Sequence, residues 1–96
     1  VAQLVSCIGG GAAGSWQLDT LAVKMAQDDL TPGFKVKHFL KDLNIARNEP
    51  AAADLQLDAL RAAAERLVEL ERLGLGEAGT QAVYKMIRQH VEQLEN

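Results

Sequence analysis

Apolar side chains return at three- and four-residue steps in four stretches of the chain, and this spacing predicts four helices. The first, Ser15 to Gln27, carries Trp16, Leu21, Val23 and Met25 and opens on a serine suited to capping free backbone donors. The second, Lys35 to Glu49, sets Val36, Phe39, Leu40, Leu43 and Ala46 on one stripe. The third, Asp58 to Leu73, turns Leu60, Ala63, Leu67 and Leu70 inward, with Asp58 as its expected cap and Gly74 as its stop. The fourth starts near Gly79-Thr80 and runs to about Leu94, with Val83, Met86, Ile87, Val91 and Leu94 on one side. Thr31-Pro32-Gly33 turns the chain, and Pro50, which lacks a backbone donor, is expected to end or kink the second helix. The alanines at 51–53 and 62–64 read as places where helices pack closely. The expected fold class is all-α, a compact bundle of about four main helices.

Two places admit a second reading. Phe34, Val36 and His38 alternate with Lys35, Lys37 and Phe39 as a half-buried strand would. Leu4 to Ile8 is an apolar run leading into Gly9, Gly10, Gly11 and Gly14, whose spacing satisfies G-x-G-x-x-G. In a strand, loop and helix unit such glycines let backbone amides approach a pyrophosphate, with Asp28 or Asp29 as the acidic residue further on. Everything after His38 is helical in pattern, however, which leaves at most two strands, too few for a doubly wound sheet. The competing reading is a glycine-rich entry into a helix whose backbone lies close to a neighbour. A Walker-type phosphate loop is excluded, because no Lys-Ser or Lys-Thr follows the glycines.

Composition narrows the classes further. The 96 residues make one domain, and 10 basic against 13 acidic residues give a net charge of -3, which argues against a nucleic-acid partner. No apolar run approaches the roughly 20 residues that cross a bilayer, so no membrane is expected. Cys7 is the single cysteine, without a basic neighbour in sequence; it is expected as a buried structural thiol in a reducing, cytoplasmic setting. His38 and His90 stand far apart without partners at ligand spacing, so no metal site is expected. Trp16 either joins the core or walls a pocket beside the glycine turn. Lys35, Lys37, His38 and Lys41 concentrate positive charge on the first turns of the second helix, a solvated face or one that meets an anionic ligand. The chain opens on Val1, which is expected to lie within a longer protein.

Five blocks in order, Ile8 to Trp16, Pro32 to Lys35, Lys41-Asp42-Leu43, Gly74 to Gly76, and Gly79 to Tyr84, closely resemble the C-terminal domain of β-hydroxyacid dehydrogenases. That family includes 3-hydroxyisobutyrate dehydrogenase, tartronate semialdehyde reductase and the glyoxylate/succinic semialdehyde reductases, and is related to 6-phosphogluconate dehydrogenase. The resemblance implies that residues 1–96 are a C-terminal helical, NAD-binding, 6-phosphogluconate dehydrogenase-like domain, with an N-terminal Rossmann domain outside the chain. It implies an oxidoreductase that moves a hydride between NAD or NADP and a short β-hydroxyacid or its semialdehyde. By match of motif, Lys41 and Phe34 fall on the cofactor side and Asp42 fixes that lysine and the helix, while Ser15 and Trp16 fall on the substrate side. The catalytic lysine is implied upstream of Val1, so no catalytic residue lies in this chain. Asn44, Asn48 and Pro50 depart from the family pattern. The resemblance also implies a homodimer or larger homo-oligomer, with Leu60, Leu67, Val83 or Ile87 at or beneath the interface. The alternative is a non-catalytic helical dimerisation or interaction module on the same scaffold.

Overall fold

The computed structural model describes residues 1–49 and 54–96. Its helices are α1 (Ala2–Ile8), α2 (Val23–Ala26), α3 (Val36–Asn48), α4 (Asp58–Arg72) and α5 (Val83–Glu95). A π-helical run, Gln17–Ala22, leads directly into α2, and a 3-10 turn, Thr80–Ala82, leads into α5. The all-α expectation holds among the described residues, and both strand readings fail. Leu4 to Ile8 lies in α1, where Val1, Leu4, Val5 and Ile8 form a helical stripe of which Val5 alone is buried. Phe34 to His38 is half right: Lys35 is extended and pairs with Gly79 in an isolated antiparallel bridge, but the helix takes over at Val36.

The core forms where α3 meets α4. Val36 and Leu40 face Ala64, Leu67 and Leu70, joined by Ala82, and Leu30, Phe39, Leu43, Leu75, Ala78, Val83 and Met86 pack around them. Leu70 is fully buried, which stabilises the fold by roughly 2 kcal/mol relative to exposure. Ala64, also fully buried, lets α3 and α4 approach closely, as the alanine run at 62–64 predicts. Ala46 lies exposed, so the α3 stripe ends one turn early. The corresponding stripe of α5 stays open beyond Met86, with Ile87, Val91 and Leu94 exposed. Leu67 is buried in the core, and Ile87 is exposed.

Helix ends follow local chemistry. Ser15 Oγ accepts the Leu18 N–H at 3.0 Å, the expected cap. Asp58 is the first helical residue and not the cap; its carboxylate reaches Arg61 at 3.2 Å instead. Two helices close alike: after α4, Leu75 N–H donates to Leu70 O and Gly74 N–H to Glu71 O, with Gly74 at φ 80°. After α2 the same pair of bonds runs from Asp29 to Lys24 O and from Asp28 to Met25 O. There the left-handed position, φ 56°, is held by Asp28 and not a glycine. α3 stops at Asn48 with Glu49 extended, the conformation favoured before a proline. Pro50, expected to end or kink the second helix, and Ala51 to Ala53, expected at a close helix contact, lie outside the described residues.

Candidate functional site

The head of α3 is held by a clasp. Segment 76–81 lies along segment 29–37 and satisfies its backbone groups one after another. Val36 N–H donates to Ala78 O and Lys37 N–H to Gly76 O, both at 2.9 Å, so α3 starts without a side-chain cap. Gly79 N–H donates to Leu30 O at 2.9 Å and Thr80 N–H to Phe34 O at 3.0 Å. The Gln81 amide, almost fully buried, donates to both Asp29 O and Thr31 O at 3.0 Å. Lys85 and Asp28 pair at 2.6 Å on the outside of the same junction.

Charge is distributed unevenly over this head. The Glu77 carboxylate lies between the Lys35 and Lys37 ammoniums, at 2.6 Å from Lys35. Hydrogen bonds from Lys35 and then Lys37 hold its pKa down at about 2, against an ordinary 4.5. Glu77 therefore offsets one of the two positive charges of Lys35 and Lys37, and the positive face expected of the first two turns is reduced but not removed. Lys41 is different: it lies exposed about 7.5 Å of helix rise beyond Val36 and forms no ion pair among the described residues. It lines an open groove of about 560 Å³ with Lys37, Asn44 and Asn48 from α3 and Glu71 from α4. Asp42 is also exposed, a third of a turn further round, and forms no hydrogen bond to Lys41 in this structure.

Phe34 sits where the clasp meets α3, 45 % exposed, its ring 5.9 Å from that of Phe39 and 6.4 Å from that of His38. Trp16, at 65 % exposure, is no core residue. Its ring edge reaches Gly33, where a β-carbon would lie 3.9 Å from Trp16 Cη2. The fold thus brings Trp16 and Phe34 to either side of Gly33, while Lys41 and Asp42 lie further along α3. Cys7 is exposed, because the α1 stripe that buries Val5 turns Cys7 outward. His38 is exposed as well. Sequence reasoning missed Glu77 and Gln81; the one visible signal was a long polar side chain set between Gly79 and the apolar Ala82-Val83.

The glycine turn is not a phosphate cradle. Gly9, Gly11 and Gly14 donate their amides to Val5 O, Ile8 O and Gly11 O. A β-carbon at Gly14 would stand 2.4 Å from Gly9 O, so close backbone approach explains that glycine.

A family model described as the NAD-binding region of NADP-dependent 3-hydroxyisobutyrate dehydrogenase matches residues 1–87. The chain belongs to that family. An uncharacterized oxidoreductase of Bacillus subtilis (strain 168) is 40% identical over 84 residues, 88% of this chain and 29% of the relative. An uncharacterized oxidoreductase of Synechocystis is 40% identical over 86 residues, 90% of this chain and 29% of the relative. A probable mitochondrial 3-hydroxyisobutyrate dehydrogenase-like protein of Arabidopsis thaliana is 39% identical over 83 residues, 86% of this chain and 25% of the relative. The chain therefore spans between 25% and 29% of the length of these relatives.

Membership makes NAD or NADP the cofactor against which the surface is fitted. The glycine-turn amides above and the first two α3 amides are engaged by backbone oxygens, so neither place offers these donors to a pyrophosphate. The groove on α3 offers the Lys37 and Lys41 ammoniums and the Asn44 and Asn48 amides to an anionic group, against the Glu49 and Glu71 carboxylates on its rim; Phe34 stands outside this groove, before the start of α3. Among the described residues, no three His, Cys, Asp or Glu cluster as metal ligands, and no helix is long and apolar enough to cross a membrane.

Proposed function

We propose that this chain is the C-terminal, 6-phosphogluconate dehydrogenase-like helical domain of an NAD(P)-dependent oxidoreductase that interconverts a short β-hydroxyacid and its semialdehyde. The observation that carries the reading is the family match over residues 1–87, together with a lysine on α3 unpaired among the described residues and the open Phe34 ring just before that helix. The Rossmann domain and the catalytic lysine belong to the rest of the protein. The nicotinamide, when bound, supplies or accepts the hydride.

Within this reading Phe34 borders the nicotinamide end and keeps water from it, and Lys41 offers a positive charge to the cofactor. Asp42 adds a counter-charge on the same exposed side of α3 without holding Lys41 directly. Ser15, as the cap of the π-helical run, fixes the position of Trp16, which walls the substrate side. The exposed Cys7 fits a reducing, cytoplasmic setting. The open apolar stripe Ile87, Val91 and Leu94 supports a homodimer or larger assembly and is the observation that favours the second reading, a non-catalytic interaction module.

The test is an assay of the full-length protein against a panel of β-hydroxyacids and semialdehydes with both dinucleotides. Turnover of at least one short β-hydroxyacid is expected. No turnover with any member of the panel, by a folded protein that still self-associates, favours the interaction module.

A further inference from the structure

We infer that Gln81 is a positioning residue for the cofactor side of the site, acting through Phe34, an assignment that rests on the functional reading above. Gln81 is 1 % exposed, the only buried polar or charged side chain among the described residues. Its Nε2 donates to Asp29 O and Thr31 O, across 52 and 50 residues of sequence. Those two carbonyls flank Leu30, and the chain runs from them through Pro32 and Gly33 straight to Phe34. One amide group therefore sets the height of the turn that delivers the Phe34 ring and the Gly33 surface under Trp16.

Two further observations separate this from ordinary core filling. The Gln81 amide folds back over Gly79, where a β-carbon would press on Oε1, Cδ and Nε2, so a side chain there displaces the amide from its carbonyls. Oε1 itself is buried without a hydrogen-bond partner, a cost that an apolar side chain of similar length would avoid. An amide kept there despite that cost contributes through what its nitrogen holds. Displacing an aromatic wall by a fraction of an ångström to one ångström affects cofactor geometry far more than it affects folding.

The experiment is a double-mutant cycle in the full-length enzyme, with Gln81→Leu, Phe34→Ala and the pair, reading cofactor KM, kcat and melting temperature. Gln81→Leu is expected to raise cofactor KM about tenfold. The same change in the Phe34→Ala background is expected to add less than about twofold, since the ring it positions is gone. Leu67→Val, which weakens the core away from the clasp, is expected to lower the melting temperature while leaving KM unchanged. If Gln81→Leu does not fold, Gln81→Met keeps the side-chain length, removes the donor without burying a charge and carries the same expectation. Independent, multiplicative effects of the two changes, or a Gln81 variant with wild-type KM beside an impaired Phe34→Ala, overturn the assignment. A Phe34→Ala enzyme with wild-type constants overturns the cofactor-side reading itself.

Discussion

The two proposed aromatic walls of the site stand on very different foundations. Phe34 is delivered by the clasp, in which backbone bonds join residues 30–37 to 76–80, partners far apart in sequence. Trp16 follows the glycine turn, where Gly9, Gly11 and Gly14 bond only to carbonyls three or four residues back. The first region is tied to the α3–α4 core, which Val36 joins directly. The second rests on one buried side chain of α1, Val5, and on the Ser15 cap. Long-range bonds fix the cofactor side, whereas local bonds leave the Trp16 side to be held by whatever packs on it.

Of Gly79 and Gly10 the larger effect is expected at Gly79: Gly79→Ala displaces the Gln81 amide from its two carbonyls and costs about 2 kcal/mol, read from urea unfolding. Gly10→Ala, where no atom lies within 4 Å, stays within about 0.5 kcal/mol. Equal losses at the two glycines would erase the contrast between the regions. A smaller loss, about 1 kcal/mol, is expected for Ser15→Ala, which removes the only side-chain cap of the Trp16 segment. A shift in the emission of Trp16, compared with a Trp16→Phe background, checks that the loss is local.

Acid titration sharpens the clasp side alone. Because the Glu77 pKa is depressed in the folded state to about 2 from 4.5, its contribution to stability is present above pH 4.5 and is lost as pH falls toward 2. Glu77→Gln is expected to flatten the unfolding-versus-pH curve in that window and nowhere else. An unchanged curve would mean that Lys35 and Lys37 do not hold the carboxylate in solution.

Much of this contrast was open to inspection in the residues. Periodicity found α3, α4, α5 and the helix through Val23–Ala26 within a few residues; the α3 and α4 stripes follow faces that pack, whereas that of α5 packs only at Val83 and Met86. It failed at α1, where a short apolar run before glycines is compatible with strand or helix and only the absence of a partner strand decides. Cys7 was misplaced for the same reason: with no helix expected there, its direction was undetermined. The lysines of the α3 head were visible, yet the one acid that pairs with two of them lies about 40 residues away on the clasp, a pairing no local pattern carries. Motif singled out Lys41 and Phe34, and the structure leaves both exposed, Lys41 without an acidic partner among the described residues.

In the function proposed above, α3 presents Lys41 to the cofactor. An exposed lysine without a partner contributes little to folding, so Lys41→Ala in the full-length enzyme is expected to leave stability within about 0.5 kcal/mol of wild type. The most direct measurement is the KM for NAD(P)H of that variant beside its melting temperature. A rise of about tenfold in cofactor KM, the loss of one charged contact worth about 1.4 kcal/mol, with the melting temperature unchanged, is the expected result. Wild-type kinetic constants for both cofactor and substrate would contradict it.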